Sequence, residues 1–467
     1  MKIALVQAPC SFGVGMPPLA LAYLYSTLKK AGYRAHVIDL SIMLYKQAAD
    51  DQKICWDSNN GYRWYLEDSF YQLPFINEAT YDKCIGHILA VRPDIIGFSV
   101  QNTSALFTLN IVKRIKSRCP GIKILLGGPN CYNLSGNDAD WILPYGLQAF
   151  ADIVIVGEGE RTLVNVLARL KAKKSLEGCE GVLLPRGDKW VFNGLAPAIM
   201  DLDSLPYPDF SVYDLSAYTD WTEFPILTSR GCVMQCVFCT DTKFWSPYRF
   251  RSAGNIIKEM ELIKRKYRNT SFAFNDSLIN GNLPNLLRLC DLMVKRRLNV
   301  AWGGNFRIDK RIDIEVLKKI RQAGCRYFNL GIESASNKVL GLMRKGFTIE
   351  EAERFIGLCR EAGIDIVVNW VVGFPGENDD DFMQTAAFIA RYAGQIKRNT
   401  FSTLTINQFS YLEKHKEEFG IVLDGYHLGL WRSLDGQNTI EVRNRRLKML
   451  EEIDQKGNKE YSVVRQT

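Results

Sequence analysis

The sequence predicts an α/β protein in two parts: an N-terminal Rossmann-like, doubly wound parallel sheet, followed by a partial (β/α)6 barrel. Three observations carry this prediction. Short apolar stretches alternate with helical stretches along both halves of the 467 residues, and uniformly apolar strands separated by helices belong to parallel sheets covered on both faces. Several of those strands run into glycine-rich turns. A proline-punctuated linker, Leu202 to Asp209 (LDSLPYPD), separates the two series. A chain of this length is expected to hold two or three domains.

In the first part, Ile3 to Gln7 reads as a strand, followed by a Gly/Pro-rich loop (Ser11 to Pro18) and a helix from Leu19 to Lys30 that Gly32 ends. Ala35 to Leu40 is the next strand. Residues 41 to 80 are aromatic and irregular and read as an insertion. Trp56, Tyr62, Trp64, Tyr65 and Tyr71 there suit either a substrate wall or simple packing on the sheet. Tyr81 to Val91 is helical, Asp94 to Val100 a strand, Ala105 to Cys119 a helix and Ile122 to Leu126 a strand. Ile153 to Val156 is a further strand, Thr162 to Lys173 a helix and Gly181 to Val191 a small hairpin. Ligands of such sheets sit at the carboxyl ends of the strands.

In the second part, strands are read at Phe224–Ser229, Ser271–Asn275, Val300–Gly303, Tyr327–Gly331, Ile364–Val372 and Phe401–Gln408. Helices lie between them at Asn255–Lys266, Leu286–Arg297, Ile314–Ala323, Ile349–Ala362 and Asp380–Tyr392. Barrel chemistry also sits at the carboxyl ends of strands. The expected organisation is thus a first domain over 1–200, a linker over 201–220, the barrel over 221–410 and a helical C-terminal segment over 411–467. Arg443, Arg445, Arg446 and Lys448 are expected on a solvated face of that segment.

Hydrophobic residues at 47% and charged residues at 24% exclude a mainly disordered or fibrous chain. A net charge of +8 is too weak and too evenly spread to argue for a nucleic-acid partner. No apolar run approaches the roughly 20 residues a bilayer span needs. The opening MKIALVQAPC is too short for a signal-peptide core and reads as a strand. A cytoplasmic protein is the expectation.

Of the twelve cysteines, nine are scattered and three lie within eight residues: Cys232, Cys236 and Cys239. Spacings of three and two residues on the loop after the first barrel strand let one tight loop turn three sulfurs toward a point. Zinc sites want four ligands, usually in separated pairs, and all four histidines (His36, His87, His415, His427) are far away in sequence. Three thiolates with an open position suit a four-iron cluster whose unique iron binds a further ligand. Three buried core cysteines are the alternative, which a Gly-flanked loop at the catalytic end of a barrel disfavours.

CxxxCxxC with an aromatic residue before the last cysteine, at the first loop of a six-unit barrel, resembles the radical S-adenosylmethionine (SAM) superfamily, over roughly residues 220 to 410. The resemblance implies a 4Fe-4S cluster on Cys232, Cys236 and Cys239, with Phe238 flanking the adenine of SAM. It implies SAM contacts from Asn275 and Asp276 after the second strand, from Asn305 and Arg307 after the third, and from Glu333 and Ser334 after the fourth. Asn369, in the fifth-strand stretch NWVVGFPGE, completes the implied set. The residue types suit SAM recognition, with acceptors for an ammonium and a guanidinium for a carboxylate. The superfamily cleaves SAM by one-electron reduction to a 5′-deoxyadenosyl radical; the cofactors do the chemistry and the protein aligns them. An electron donor such as flavodoxin or ferredoxin is implied.

A Rossmann-like domain before such a barrel resembles the cobalamin-binding class of these enzymes. The matching pieces are Phe98-Ser99-Val100, Gly127-Gly128-Pro129-Asn130 and Val156-Gly157-Glu158-Gly159-Glu160-Arg161. Cobalamin contacts are therefore implied at Ser99, Gly127, Gly128, Pro129, Gly157, Glu158 and Gly159. Many cobalamin proteins carry Asp-x-His-x-x-Gly after the first strand; here Ala8 to Pro18 has no histidine, so the lower face of cobalt is expected to be unligated. After Cys239 only Cys290, Cys325 and Cys359 remain, over 30 residues apart, and they read as core residues rather than ligands of a second cluster. The implied activity is a cobalamin-dependent C-methyltransferase acting on a small-molecule or peptide substrate. The alternative is an enzyme of the same architecture that cyclises, rearranges or oxidises its substrate. No catalytic side chain is singled out by the sequence.

Overall fold

Lys2–Gln7 (β1) is buried at five of six positions, because it is a central strand with a neighbour on each side. It pairs in parallel with Arg34–Asp39 (β2) and with Ile95–Ser99 (β3). Leu19–Lys30 (α1), Leu40–Gln47 (α2) and Glu78–Ala90 (α3) form the crossovers between these strands. Ala105–Arg118 (α4) links β3 to Lys123–Gly127 (β4), and Ile153–Ile155 (β5) precedes Gly159–Lys171 (α5). The parallel order β2-β1-β3-β4-β5 is doubly wound, and the hairpin Val182–Arg186 (β6) with Lys189–Phe192 (β7) extends it as an antiparallel edge. In this order the winding reverses between β1 and β3, so their carboxyl ends form the switch point at which ligands of such sheets bind. The computed structural model describes residues 1–11, 13–131, 143–219, 222–423 and 429–464. The chain divides into two units, Met1–Pro225 and Ile226–Thr467. Residue 220 of the expected linker and His427 lie outside the described residues.

The aromatic insertion is core on its inner side. Trp56 and Trp64 are buried and Trp56 stacks on Phe75 at 4.5 Å, so packing, not a substrate wall, accounts for them. Tyr62 and Tyr71 are half exposed, at 47% and 51%.

The second sheet runs in strict chain order. It comprises Phe224–Ile226 (β8), Ser271–Phe274 (β9), Ala301–Phe306 (β10), Cys325–Glu333 (β11), Asp365–Val372 (β12) and Arg398–Thr403 (β13). From β9 to β13 every neighbouring pair is parallel. Ala253–Tyr267 (α6), Leu283–Lys295 (α7), Ile314–Gln322 (α8), Ile349–Glu361 (α10) and Asp379–Arg391 (α11) are the crossovers, and a short helix, Asn337–Met343 (α9), follows β11. The sheet is open, with β8 and β13 as its edges, which is the partial barrel the sequence predicts.

The two faces of this sheet differ in kind. On one, Phe274 stacks on Trp302 at 4.9 Å and Phe306 on Phe328 at 4.0 Å, with Phe355 of α10 behind them. All are buried. The other face carries Asn305 paired with Asn329, and Gly331 beside Asn369 and Thr400. Asn305 and Asn369 are exposed although they sit in inner strands. An inner barrel face is ordinarily filled with branched apolar side chains; this one is left polar and open.

The C-terminal arginines correct an expectation. Ile440–Val464 (α12) does not present Arg443 and Arg446 to solvent: both are buried. Arg443 Nη2 donates to the carbonyls of Gly429 (3.0 Å) and Trp431 (2.7 Å), and the guanidinium lies 4.1 Å over the Trp431 ring. Arg446 pairs with Glu377 and Asp379. The cause is Gly373 at the end of β12: it has φ +80, and a Cβ there would strike the Arg443 side chain. Glycine at that turn lets the last helix dock by its arginines. Replacing Arg443 by Met strands the buried Trp431 carbonyl, at roughly 1–3 kcal/mol, and removes the donor to the part-buried Gly429 carbonyl. The expected result is a clear fall in the thermal midpoint of unfolding, followed by circular dichroism, with little change for the Arg445→Met control.

Candidate functional site

The cysteine loop leaves the sheet through a braced neck. Beyond β8, Ser229 and Arg230 pair antiparallel with Phe250 and Arg249, closing the base of the loop. Gly231 follows with φ +86, and a Cβ there would lie 2.7 Å from the Trp245 carbonyl, a place no other residue fits. Arg249 donates to the carbonyls of Pro247 (2.8 Å) and Trp245 (3.1 Å), and Arg230 lies 5.1 Å over the Trp245 ring. Asp276, just past β9, fixes the neck from the side. It accepts hydrogen bonds from Thr228 N (2.8 Å), Thr228 Oγ1 (2.9 Å) and Ser229 Oγ (2.9 Å), and from Ser229 N. Burial pushes its carboxyl up to about 6 against the lowering pull of these donors. Neighbouring Asn275 is exposed.

All three thiols of the loop are partly buried. Met234 N–H donates to Cys232 Sγ at 3.4 Å and Cys239 N–H to the Cys236 carbonyl at 3.2 Å. Burial raises the pKa of each, that of Cys239 to about 12, and the Cys232 and Cys236 charges push Cys239 in the same direction. No group of three or more His, Cys, Asp or Glu among the described residues is gathered to hold a single metal ion. A four-iron cluster asks for a wider arrangement, since each thiolate goes to a different iron. Three adjacent thiols on one braced loop fit that demand.

Two further predicted residues converge on this loop. Arg307, one residue past β10, donates through Nη1 to Met234 Sδ (2.8 Å) and through Nη2 to Asp309 (3.0 Å), while its buried Nε has no partner. Glu333 closes β11 on a bulge opposite β12, in the left-handed region at φ 72. That strained conformation turns its carboxylate back over Gly331, where a Cβ would collide with it. Such strain in a non-glycine residue is held only where surrounding contacts enforce it. Here the enforcing partner is Lys345, whose Nζ lies 3.4 Å from Glu333 Oε1 with both side chains about nine-tenths buried. Burial alone would lower the Lys345 pKa; Glu333 and Cys236 outweigh it and hold it up.

Lys345 is absent from the residues the sequence singles out. The signal that could have found it is the turn Arg344-Lys345-Gly346 between α9 and α10, whose outer two residues have φ 57 and 73. Phe238 lies between the parts: its ring is 5.8 Å from the Lys345 ammonium and 6.5 Å from the Phe374 ring.

Other predicted residues face elsewhere. Ser334 is fully buried, with Oγ 3.4 Å from Thr385 Oγ1 on α11 and accepting from Ser336 N. Asn369 accepts from Thr400 Oγ1 on the exposed face. Asn305 Nδ2 donates to the Asp276 carbonyl at 2.8 Å. Cys290, Cys325 and Cys359 are fully buried core residues.

In the first unit, Ser99 pairs with both Gln7 and Gly127, so the ends of β1, β3 and β4 lie in one row. Gly128 has φ +106, and a Cβ there would meet the Val100 backbone at 2.7 Å. Pro129 is exposed. Gly157 has φ +88 with open space beside it, whereas Gly159 meets Leu24 of α1 and serves helix packing. Glu158 accepts from Ile199 N at 2.7 Å. Thr103, in the loop after β3, is buried with its hydroxyl unpartnered, a group that a polar ligand at these strand ends would satisfy. His36 is exposed within β2.

The sequence model of the radical SAM superfamily matches residues 226–389. That match falls within the second unit. Among curated proteins, the chain is 27% identical over 384 residues to the anaerobic magnesium-protoporphyrin IX monomethyl ester cyclase of Cereibacter sphaeroides, covering 79% of this chain and 55% of that protein. It is 24% identical over 302 residues to an uncharacterized methyltransferase of Pyrococcus horikoshii, covering 63% and 64%. The chain thus spans a little over half the length of the cyclase it matches. Among solved structures, the radical SAM methyltransferase TsrM from Kitasatospora setae, with cobalamin and a 4Fe-4S cluster bound, superposes with TM-score 0.64 at 18% identity, over 91% of this chain and 76% of that one. The cobalamin-dependent SAM radical enzyme OxsB, with aqua-cobalamin bound, gives 0.66 at 18%, over 90% and 56%. The chain shares the two-part fold of these enzymes. No helix among the described residues is long and apolar enough to cross a membrane.

The neck is the part of the cysteine loop most exposed to test by mutation. Asp276→Ala leaves up to four donors without an acceptor, at roughly 1–3 kcal/mol for a buried group so stranded. The thermal midpoint should fall, and iron retained after anaerobic reconstitution should fall with it. An unchanged midpoint in differential scanning calorimetry would contradict the bracing role.

Proposed function

We propose that the chain is a radical SAM enzyme that uses a 4Fe-4S cluster, SAM and cobalamin to methylate an unactivated carbon. The observation that carries this reading is the thiol triad, braced at the carboxyl end of the first strand of an open six-stranded sheet whose inner face is polar and exposed. When bound, the cluster and SAM supply one-electron radical chemistry and cobalamin a transferable methyl group.

In this reading Cys232, Cys236 and Cys239 hold the cluster, leaving one iron for SAM. Arg307, with an unpartnered buried Nε beside the cysteine loop, takes the SAM carboxylate. Glu333 takes its ammonium. Phe238 supplies an apolar wall beside the cluster loop for the adenine. Asn275, Asn305 and Asn369 offer amide groups on the open face, where the ribose and substrate are oriented. Asp276 and Ser334 serve SAM indirectly, by fixing the neck and the turn after β11. In the first unit, Ser99, Gly127, Gly128, Pro129 and Gly157, at the carboxyl ends of β3, β4 and β5, would edge the corrin, while Glu158 and Gly159 hold the turn that carries Gly157. No histidine stands in the loop after β1, so that loop would offer cobalt no imidazole ligand. The substrate is a small molecule or peptide, and a flavodoxin or ferredoxin provides electrons.

A second reading, cyclisation, is favoured by the cyclase likeness over 384 residues. The two are separated by products. Methylation consumes SAM in two ways and yields S-adenosylhomocysteine together with 5′-deoxyadenosine and methionine; cyclisation yields the latter two alone. Anaerobic incubation of reconstituted protein with SAM and a reductant, read by mass spectrometry, should show all three. Persistent absence of S-adenosylhomocysteine with cobalamin bound would replace the first reading by the second.

Cys236→Ala should abolish 5′-deoxyadenosine formation while the protein keeps its helical circular dichroism, because only a partly buried loop loses a ligand. Normal SAM cleavage by this variant would refute the cluster assignment.

A further inference from the structure

We propose that Lys345, steered by Glu333, is a positioning residue that sets the reduction potential of the cluster on the thiol triad. This rests on the reading that Cys232, Cys236 and Cys239 bind that cluster.

The turn carrying Lys345 is built onto the cysteine loop. Val237 N–H donates to the Met343 carbonyl at 3.2 Å, so the end of α9 is bonded to a residue between two of the cysteines. Gly346 is packed against Met234: a Cβ there would lie 3.3 Å from its Cε. Lys345 N–H returns to the Leu340 carbonyl at 3.1 Å. The left-handed residues on either side of Lys345 point its side chain inward, where it is about nine-tenths buried.

The ammonium then lies 5.8 Å from the Phe238 ring and 5.9 Å from Phe347. Two aromatic faces and one carboxylate at 3.4 Å hold a charge that is costly to bury. A single close carboxylate would neutralise it for any purely structural role. The ammonium stands beside the sulfurs because the turn that carries it is bonded to Val237, between Cys236 and Cys239, and its Nζ lies over the Phe238 ring next to Cys239. A fixed cation beside thiolate ligands stabilises the reduced, more negative cluster. Potentials of such clusters are set by local charge, hydrogen bonds and exposure. Glu333 opposes the cation and positions it, so the two residues act with opposite signs.

The test uses full-length protein, reconstituted anaerobically without SAM, with iron and sulfide counted and folding checked by circular dichroism. The cluster is titrated reductively and followed by electron paramagnetic resonance. Lys345→Gln should make the reduction equilibrium at least tenfold less favourable, which is about 59 mV for a one-electron couple. Lys345→Arg should stay within about threefold of the wild type. Glu333→Gln should shift the equilibrium the other way, toward easier reduction. An unchanged potential in Lys345→Gln, or an equal shift in Lys345→Arg, overturns the proposal. A shift of Glu333→Gln in the same direction as Lys345→Gln also overturns it, since a packing effect would give both the same sign. If Lys345→Gln fails to fold, the Glu333→Gln shift decides alone. A wild-type protein that takes up no reducible cluster is a different failure: it removes the cluster reading itself.

Discussion

The cysteine loop can exist in its observed form only because Asp276 and Gly231 hold its neck. A loop that presents three thiols must leave the sheet, turn sharply and return, while its backbone groups stay satisfied. Asp276 takes the donors of Thr228 and Ser229 from the strand side. Gly231 allows the chain to pass within contact of the Trp245 carbonyl. Arg249 and Arg230 tie down the return. Everything further out, from Met234 against Arg307 to Val237 against Met343, is placed by this neck. A carboxylate past one strand thus acts on chemistry that would take place above another.

Much of the fold was legible because its signal is periodic and local. Helix Leu19–Lys30 has the predicted bounds, and the other predicted crossover helices differ from their limits by up to three residues, whereas Leu40–Gln47 is a helix in the stretch that reads as irregular. Strand limits were less legible. Cys325–Glu333 is longer than the stretch that predicts it, since charged Arg326 and Glu333 stand at its two ends and break the apolar run. The last strand, Arg398–Thr403, begins three residues early for the same reason. The short helix Asn337–Met343 has too few residues to show a period.

The site was legible at its centre and opaque at its edges, and the divide is physical. Cysteine spacing carries the ligand set on one short segment, so it is readable. Roles that depend on where a side chain turns are not. Asp276 resembles a ligand-binding acid by position, but its oxygens are taken by the neck. Ser334 follows Glu333 directly, but the bulge at Gly331 sends the two to opposite sides. Arg443 and Arg446 look like a solvated pair by composition. Their burial follows from a glycine at position 373, some seventy residues away. Lys345 carried no motif, and only the left-handed turn reveals it.

The polarity of the inner sheet face explains why the domain is built in this way. Much of the second unit's core lies on the outer face, where Phe274, Trp302, Phe306 and Phe328 stack beneath the helices. That arrangement frees the inner face from packing duty. Asn305, Asn329, Gly331, Asn369 and Thr400 there contribute hydrogen-bonding groups and room instead of apolar volume. The open edge between β8 and β13 keeps that room accessible. A closed barrel of six strands would have to fill its interior with side chains. Leaving it open trades packing for a polar floor that stays accessible.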